Sequence, residues 1–181
     1  MLKEIDLSHI DDYIGTLVVG DAVYLSGTVY TARDAAHKRI FEILDAGGRL
    51  PFELTGATIF YAGPSPAKPG LIIGSCGPTT SSRMDFYTPR LLSLGLKAMI
   101  GKGERSQEAI EAIKRHSAIY FCAVGGAGAL ISKSITAVSE IAFPELGCES
   151  VKKLLVERLP VFVGIDAAGN SLFNIRRERQ A

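Results

Sequence analysis

The stretch DAVYLSGTVYTARDAAHKRIFEILDAGG, residues 21–48, changes period part-way along. Asp21 to Ala32 is rich in Val, Tyr, Leu and Thr, which suit a pleated, half-buried surface, and reads as a strand with a bulge or bend at Gly27. From Arg33 the apolar residues recur at helical spacing through Ala36, Ile40, Ile43 and Leu44, and Gly47-Gly48 supplies the stop. Thr31 with Asp34 three residues on has the spacing of a helix-capping pair. A strand running straight into a helix is the repeating unit of α/β architectures.

The same alternation continues outward. ATIFYAG (57–63), LIIGSC (71–76), LKAMIG (96–101), AIYFCAV (118–124), ITAVSEIAF (135–143) and VKKLLVERLPVFVGID (151–166) read as strands. LIIGSC opens with a continuous apolar run and is expected to be central. SLFNI (171–175), after the turn AAGN, is expected to close the chain as a further strand. Helices are expected from near Arg83 to Leu94, with Ser82 and Asp85 at capping spacing, from Ser106 to His116 with Ser106 as cap, and briefly after Gly125-Gly126. The total is eight or nine strands and four helices in one mixed α/β domain over residues 1–181.

With 181 residues, 47% hydrophobic and 22% charged, the chain is long enough and apolar enough for a substantial core. Net charge is +1, from 20 basic and 19 acidic residues, so no basic excess exists to track a phosphate backbone and no nucleic-acid partner is expected. The run RRER at 176–179 reads as a solvated tail. The N-terminal residues carry charges throughout, unlike a secretory signal. The longest stretch free of charge and strong polarity, 118–131, contains three glycines and is too short to span a bilayer. A cytoplasmic protein with no membrane association is expected. Cys76, Cys122 and Cys148 include no C-x-x-C pair, so no metal ligand set is expected in this chain.

Four short motifs stand out as chemistry. TARDAAH places Arg33, Asp34 and His37 at a helix start that follows an apolar strand, where sites in open α/β folds gather. The alternative is an exposed, charged helix start, but a basic residue is not what the N-terminal dipole favours. GPTTSSRMD supplies Thr79, Thr80, Ser81 and Ser82, then Arg83. A single hydroxyl suffices to cap a helix, so three are left over. Short donors beside a fork-shaped guanidinium suit a small carboxylate. MIGKG sets Lys102 between two glycines after a strand, either at a ligand or in an ordinary solvent-facing turn. VGGAGAL fits neither a P-loop nor a dinucleotide fingerprint in register.

Together these motifs resemble the class I (iron–sulfur) fumarate hydratase family, which includes L(+)-tartrate dehydratases, and specifically its β subunit, equivalent to the C-terminal domain of single-chain enzymes. The similarity runs from about Gly20 to Asn174. The resemblance implies a swivelling β/β/α domain, three-layered, with a mixed sheet flanked by helices. It implies a hydro-lyase that reversibly adds water to fumarate, giving L-malate. It implies a 4Fe-4S cluster held by a partner α subunit and not by this chain, a site at the α/β junction, an α₂β₂ assembly, and inactivity without the α subunit. Carried over by motif, Arg33 binds one substrate carboxylate and Arg83 the other. Thr79 stands near the carbon that gains or loses a proton, and Lys102 contributes positive charge. Asp34, His37 and Thr80 are placed with them around the substrate. Ser81-Ser82 departs from the Ala-Gly common at those positions. Two further readings remain open: an L(+)-tartrate dehydratase β subunit, and a carboxylate-binding or assembly module without turnover.

Overall fold

A computed structural model describes residues 3–178, with side chains described as far as Ile175. These residues form, in chain order, β1 (Lys3–Asp6), α1 (Ile10–Ile14), β2 (Ala22–Thr31), α2 (Asp34–Asp45), β3 (Thr58–Phe60), α3 (Thr88–Ser93), β4 (Ala98–Gly101), α4 (Gln107–Arg115), β5 (Ile119–Cys122), α5 (Gly128–Ile131), β6 (Ile135–Ala142), β7 (Val151–Ile165) and α6 (Leu172–Glu178). Short 3-10 turns occupy Leu7–His9, Ser81–Met84, Ser132–Ser134 and Pro144–Glu149.

The seven strands make one mixed sheet in the order β1-β2-β3-β4-β5-β7-β6. β1 to β5 pair in parallel, and β7 runs antiparallel to β2, β5 and β6. Because the long β7 reaches both β5 and β2, the pairings return on themselves through β2, β3, β4, β5 and β7. The bulge expected in the strand before TARDAAH is present: the β2–β7 register shifts between Leu25 and Gly27.

Alternate residues of the parallel strands enter two different cores. Phe60, Ala98, Ile100, Ile119 and Phe121 face one, with Leu25, Val161 and Val163. Ile59, Met99 and Tyr120 face the other, packed against Ala36 and Ile40 of α2, Leu91 and Leu92 of α3, and Ile110 and Ile113 of α4. Burial on both faces explains why these strands read as unbroken apolar runs. Helices cover one face and further sheet covers the other, which gives a three-layer α/β arrangement. Among the described residues no helix is long and apolar enough to cross a membrane.

Several expectations are corrected. Residues 71–76 form no strand. Leu71 and Ile72 are 59% and 53% exposed, and the segment folds back on the proline-rich loop, with Ser65 N–H bonding Ser75 O at 3.0 Å. SLFNI is the start of α6, with only Ser171 making a bridge to Ile165. The helix expected from Arg83 to Leu94 is split into the 3-10 turn at 81–84 and α3, whose first turn holds Pro89, where a missing N–H costs nothing. Neither predicted capping pair caps a helix. Thr31 Oγ1 bonds Ser150 O and the Lys152 N–H across to β7, and Asp85 accepts from Arg105 and the Ser106 N–H. Ser106 does cap α4, accepting from the Ala109 N–H at 3.2 Å. The basic run 176–179 lies outside the residues whose side chains are described.

Candidate active site

Parallel β2, β3, β4 and β5 deliver their C-terminal ends to one edge of the sheet, the edge at which α/β proteins build sites. The loops that leave this edge carry all four motifs.

β2 ends at Thr31, and two residues later α2 begins. Arg33 is the extended residue before the helix (φ −118°, ψ −159°), and Asp34 is its first residue, at the positive end of the helix dipole. The stem of Arg33 lies over Gly63, where a Cβ would stand 2.9 Å from Arg33 Cδ. Glu149, from the turn before β7, reaches the same place. Its Oε2 accepts from the Ala35 N–H at 2.9 Å, and its Oε1 lies 3.4 Å from Arg33 Nη2. Glu149 therefore satisfies a helix-start amide and holds Arg33 together.

Arg83 projects from the 3-10 turn after β3 and is half exposed. It makes a two-pronged contact to Asp34, Nε to Oδ1 at 2.8 Å and Nη2 to Oδ2 at 2.7 Å. Asp34 Oδ2 is also 3.8 Å from Arg33 Nε. The two guanidinium groups thus meet around one carboxylate of the chain itself. Arg33 Nε is buried without a hydrogen-bond partner.

Lys102 follows β4 directly. Residues 79–81 run beside it as an extra rung: Lys102 N–H bonds Thr79 O at 3.3 Å and Ser81 N–H bonds Lys102 O at 2.9 Å. Thr79 N–H bonds Tyr61 O at 2.6 Å, which ties the rung to the end of β3. Thr79 is half-buried and Thr80 is exposed. The Lys102 side chain extends over Gly125, where a Cβ would lie 3.5 Å from its Cδ. The glycine-rich turn therefore makes room for Lys102, a role that its failed nucleotide signature did not suggest.

His37 is placed differently from the others. Its ring is fully buried between Tyr61 and Tyr87, 5.6 and 5.2 Å away, and does not reach the cleft. Nδ1 bonds Arg33 O at 2.8 Å; a carbonyl only accepts, so Nδ1 carries the proton. Nε2 has no partner. Burial, reinforced by the Arg105 charge and opposed by the bond to Arg33 and by Asp34, brings its pKa down to about 4. The imidazole is neutral at pH 7 and steadies the backbone of Arg33 from below.

The sequence reading passed over Glu149, Arg105 and Tyr120, and took Asp85 for part of a helix cap. Arg105 and Asp85 are a buried ion pair (Nε to Oδ1, 2.5 Å) beneath the cleft. Glu149 is 114 residues from Ala35, so no local signal marks it. Arg105 lies in GKGERS, three residues from Lys102, and a buried arginine looks the same in sequence as an exposed one.

No group of three or more His, Cys, Asp or Glu side chains able to hold a metal occurs among the described residues. Cys76 is buried, Cys122 half-buried and Cys148 exposed, and burial pushes the Cys76 thiol up to about 12, which keeps it protonated. This chain's cysteines do not fit an iron–sulfur cluster. A surface depression of about 500 Å³, lined by Glu4, Asp6, Tyr13, Ser26 and Glu157, carries the wrong sign for an anion. The sheet edge with Arg33, Arg83 and Lys102 carries the right one.

The family described as "Fumarase C-terminus" matches residues 1–176. The chain belongs to that family. Its relatives include "Fumarate hydratase 2" of Leishmania major, 42% identical over 158 residues, covering 86% of this chain and 28% of that protein. "Fumarate hydratase class I, anaerobic" of Escherichia coli K12 is 38% identical over 174 residues, 95% of this chain and 31% of the relative. "Putative L(+)-tartrate dehydratase subunit beta" of Methanocaldococcus jannaschii is 39% identical over 163 residues, 87% of this chain and 84% of the relative. The chain thus spans less than a third of either fumarate hydratase and most of the tartrate dehydratase subunit. By their names these members of the fumarase C-terminus family are hydro-lyases, and fumarate and tartrate are both four-carbon dicarboxylates.

Proposed function

We propose that this chain is a β subunit of the class I fumarate hydratase type, one domain that binds a C4 dicarboxylate and supplies proton-handling residues for reversible hydration of fumarate to L-malate. The observation that carries the reading is the gathering of Arg33, Arg83 and Lys102 on loops from three adjacent parallel strands, with Asp34 and Glu149 paired to the two arginines. Such a cleft carries surplus positive charge on groups already held in place, which suits an anion.

In this reading Arg33 and Arg83 take one carboxylate each. Asp34 occupies two donor positions of Arg83 and leaves the remaining N–H groups of its fork for a ligand. Thr80 borders the same space. Removing a proton next to a carboxylate builds charge on that carboxylate, so a guanidinium there stabilises the transition state more than the ground state. Thr79 stands at the carbon that gains or loses the proton. A threonine hydroxyl is a weak base, and the neighbouring Lys102 charge favours its deprotonated form. In this reading the iron–sulfur cluster is held by a partner α subunit, in an α₂β₂ assembly. The tartrate dehydratase alternative is favoured by one observation: the relative whose length the chain nearly matches carries that name.

The test is anaerobic mixing of the chain with its iron–sulfur partner, following fumarate by its absorbance. Initial rates on L-malate and L(+)-tartrate are then compared. Faster turnover of malate is expected. A clear preference for tartrate replaces the substrate, and no turnover with the cluster assembled leaves a carboxylate-binding module.

A further inference from the structure

We infer that Tyr120 is a positioning residue: its buried hydroxyl ties the arm that carries Thr79 and Arg83 to the turn that carries Lys102, so that the two loops keep one spacing. Tyr120 sits on β5 beneath both loops and is fully buried. Its Oη lies 2.8 Å from Ser81 Oγ and 2.9 Å from Gly103 O. The carbonyl takes the phenol proton, and the serine hydroxyl supplies its own. Ser81 is two residues from both Thr79 and Arg83, and Gly103 follows Lys102.

Gly101 makes the slot for this contact, and Gly164 leaves room for Cys122 Sγ and the Tyr120 ring. A Cβ on Gly101 would collide with Ser81 Oγ, and one on Gly164 would stand 3.1 Å from Tyr120 Cδ1. A serine hydroxyl that needs a glycine opposite it, and finds a buried phenol there, is a built contact. Burial holds the phenol far above its ordinary pKa, so it stays protonated and the link does not titrate near neutrality. A second clamp lies further along the same arm. Asp85 accepts from Arg105 Nε at 2.5 Å and from the Ser106 N–H at 2.6 Å, and Arg105 also lies 4.9 Å over the Tyr120 ring. The arm is pinned at Ser81 and at Asp85 to the loop 103–106, and Arg83 stands between the two pins. Cations on separate loops match a ligand of fixed length only while the loops hold their separation, and a shift of about 1 Å costs on the order of 100-fold in rate.

The inference rests on the proposed function for its effect on turnover, but the clamp is read without substrate. Amide hydrogen exchange is measured on the chain for Ser81 N–H, bonded to Lys102 O, and Lys102 N–H, bonded to Thr79 O, with Gly48 N–H, bonded to Ile43 O at the end of α2, as the control. In Tyr120→Phe, Ser81 and Lys102 exchange about tenfold faster, the effect of one lost hydrogen bond. Tyr120→Phe leaves Ser81 Oγ buried and unpaired, which by itself lowers stability. Tyr120→Phe/Ser81→Ala removes that orphan, though Gly103 O still lacks its donor, and recovers part of the melting temperature. A clamp predicts that exchange at Lys102 stays fast in the double variant and that kcat/KM of the assembled enzyme stays about tenfold down. A purely structural tyrosine predicts that both recover with stability, and that result overturns the inference, as does wild-type exchange in Tyr120→Phe. If Tyr120→Phe does not fold, Ser81→Ala cuts the same link from the other side and is read the same way. Absence of turnover in the assembled wild type refutes the proposed function and leaves the exchange result to decide the clamp.

Discussion

Acidification tests how the base of the cleft is built, because His37 is the one imidazole locked there. Its Nε2 faces aromatic rings with no acceptor, and its pKa stands at about 4 against the ordinary 6.5. In the unfolded chain the ring takes a proton below about 6.5, while in the folded chain it resists until about pH 4. The unfolded state therefore binds more protons across that window. Stability from this residue is fully present above pH 6.5 and is lost as pH falls toward 4. At about 1.4 kcal/mol per pH unit, the loss from this one group is on the order of 3 kcal/mol. Other groups add their own acid sensitivity, so the measurement is a difference. His37→Phe keeps a ring between Tyr61 and Tyr87, and Arg33 O keeps its bond from the His37 backbone N–H (2.8 Å). Urea unfolding of both proteins at half-unit steps from pH 7.5 to 4 gives two curves. The wild-type curve falls below that of His37→Phe by about 3 kcal/mol across the window. Parallel curves refute the burial argument and with it the neutral His37 beneath Arg33.

Arg83→Ala separates binding from folding: its half-exposed pair with Asp34 is worth about 0–1 kcal/mol, so the melting temperature moves by at most about 2–4 °C. In the same variant, turnover in the assembled enzyme falls about 100- to 1,000-fold, and an unchanged rate means the side chain only decorates the surface. Arg105→Met leaves Asp85 buried without its partner and costs about 3–5 kcal/mol in denaturant unfolding; a loss below about 1 kcal/mol shows that the pair is not a structural pin. Ser106→Ala removes the cap of α4 and lowers stability by about 1 kcal/mol by the same assay, with no change expected if the Ala109 N–H finds water instead.

What the sequence made legible is local. The strand 22–31 and helix 34–45 follow from a change of period and a Gly-Gly stop, and α4 from a serine cap with a strongly amphipathic run. The apolar run at 71–73 misleads because hydrophobicity alone cannot say whether a partner strand is free. β3 already pairs with β2 and β4, so no place beside it remains. β1 escaped notice because only Ile5 of Lys3–Asp6 is buried, and one apolar residue makes no alternation. The capping pairs misled for a related reason. Thr31 and Asp85 have the spacing of caps, yet each finds a stronger partner far along the chain, on β7 and at Arg105. In the cleft, the residues with an unusual local pattern were visible as motifs. Those whose role depends on a distant partner, Glu149, Arg105 and Tyr120, were not.

The carboxylates inside this cationic cleft look self-defeating until the geometry of the guanidinium is considered. A free arginine side chain samples many rotamers, and fixing it costs up to about 2 kcal/mol each time a ligand binds. Asp34 holds Arg83 along one edge of its fork, and Glu149 with Gly63 holds Arg33, so that cost is met in folding. The charge surrendered is partial, because Arg33, Arg83 and Lys102 outnumber Asp34 and Glu149. A lysine at position 83 would keep the charge but present a single rotating ammonium to Asp34, with no planar edge left over to aim at a second carboxylate. The arrangement favours direction over raw attraction, which suits the proposed alignment of both ends of a short, rigid diacid.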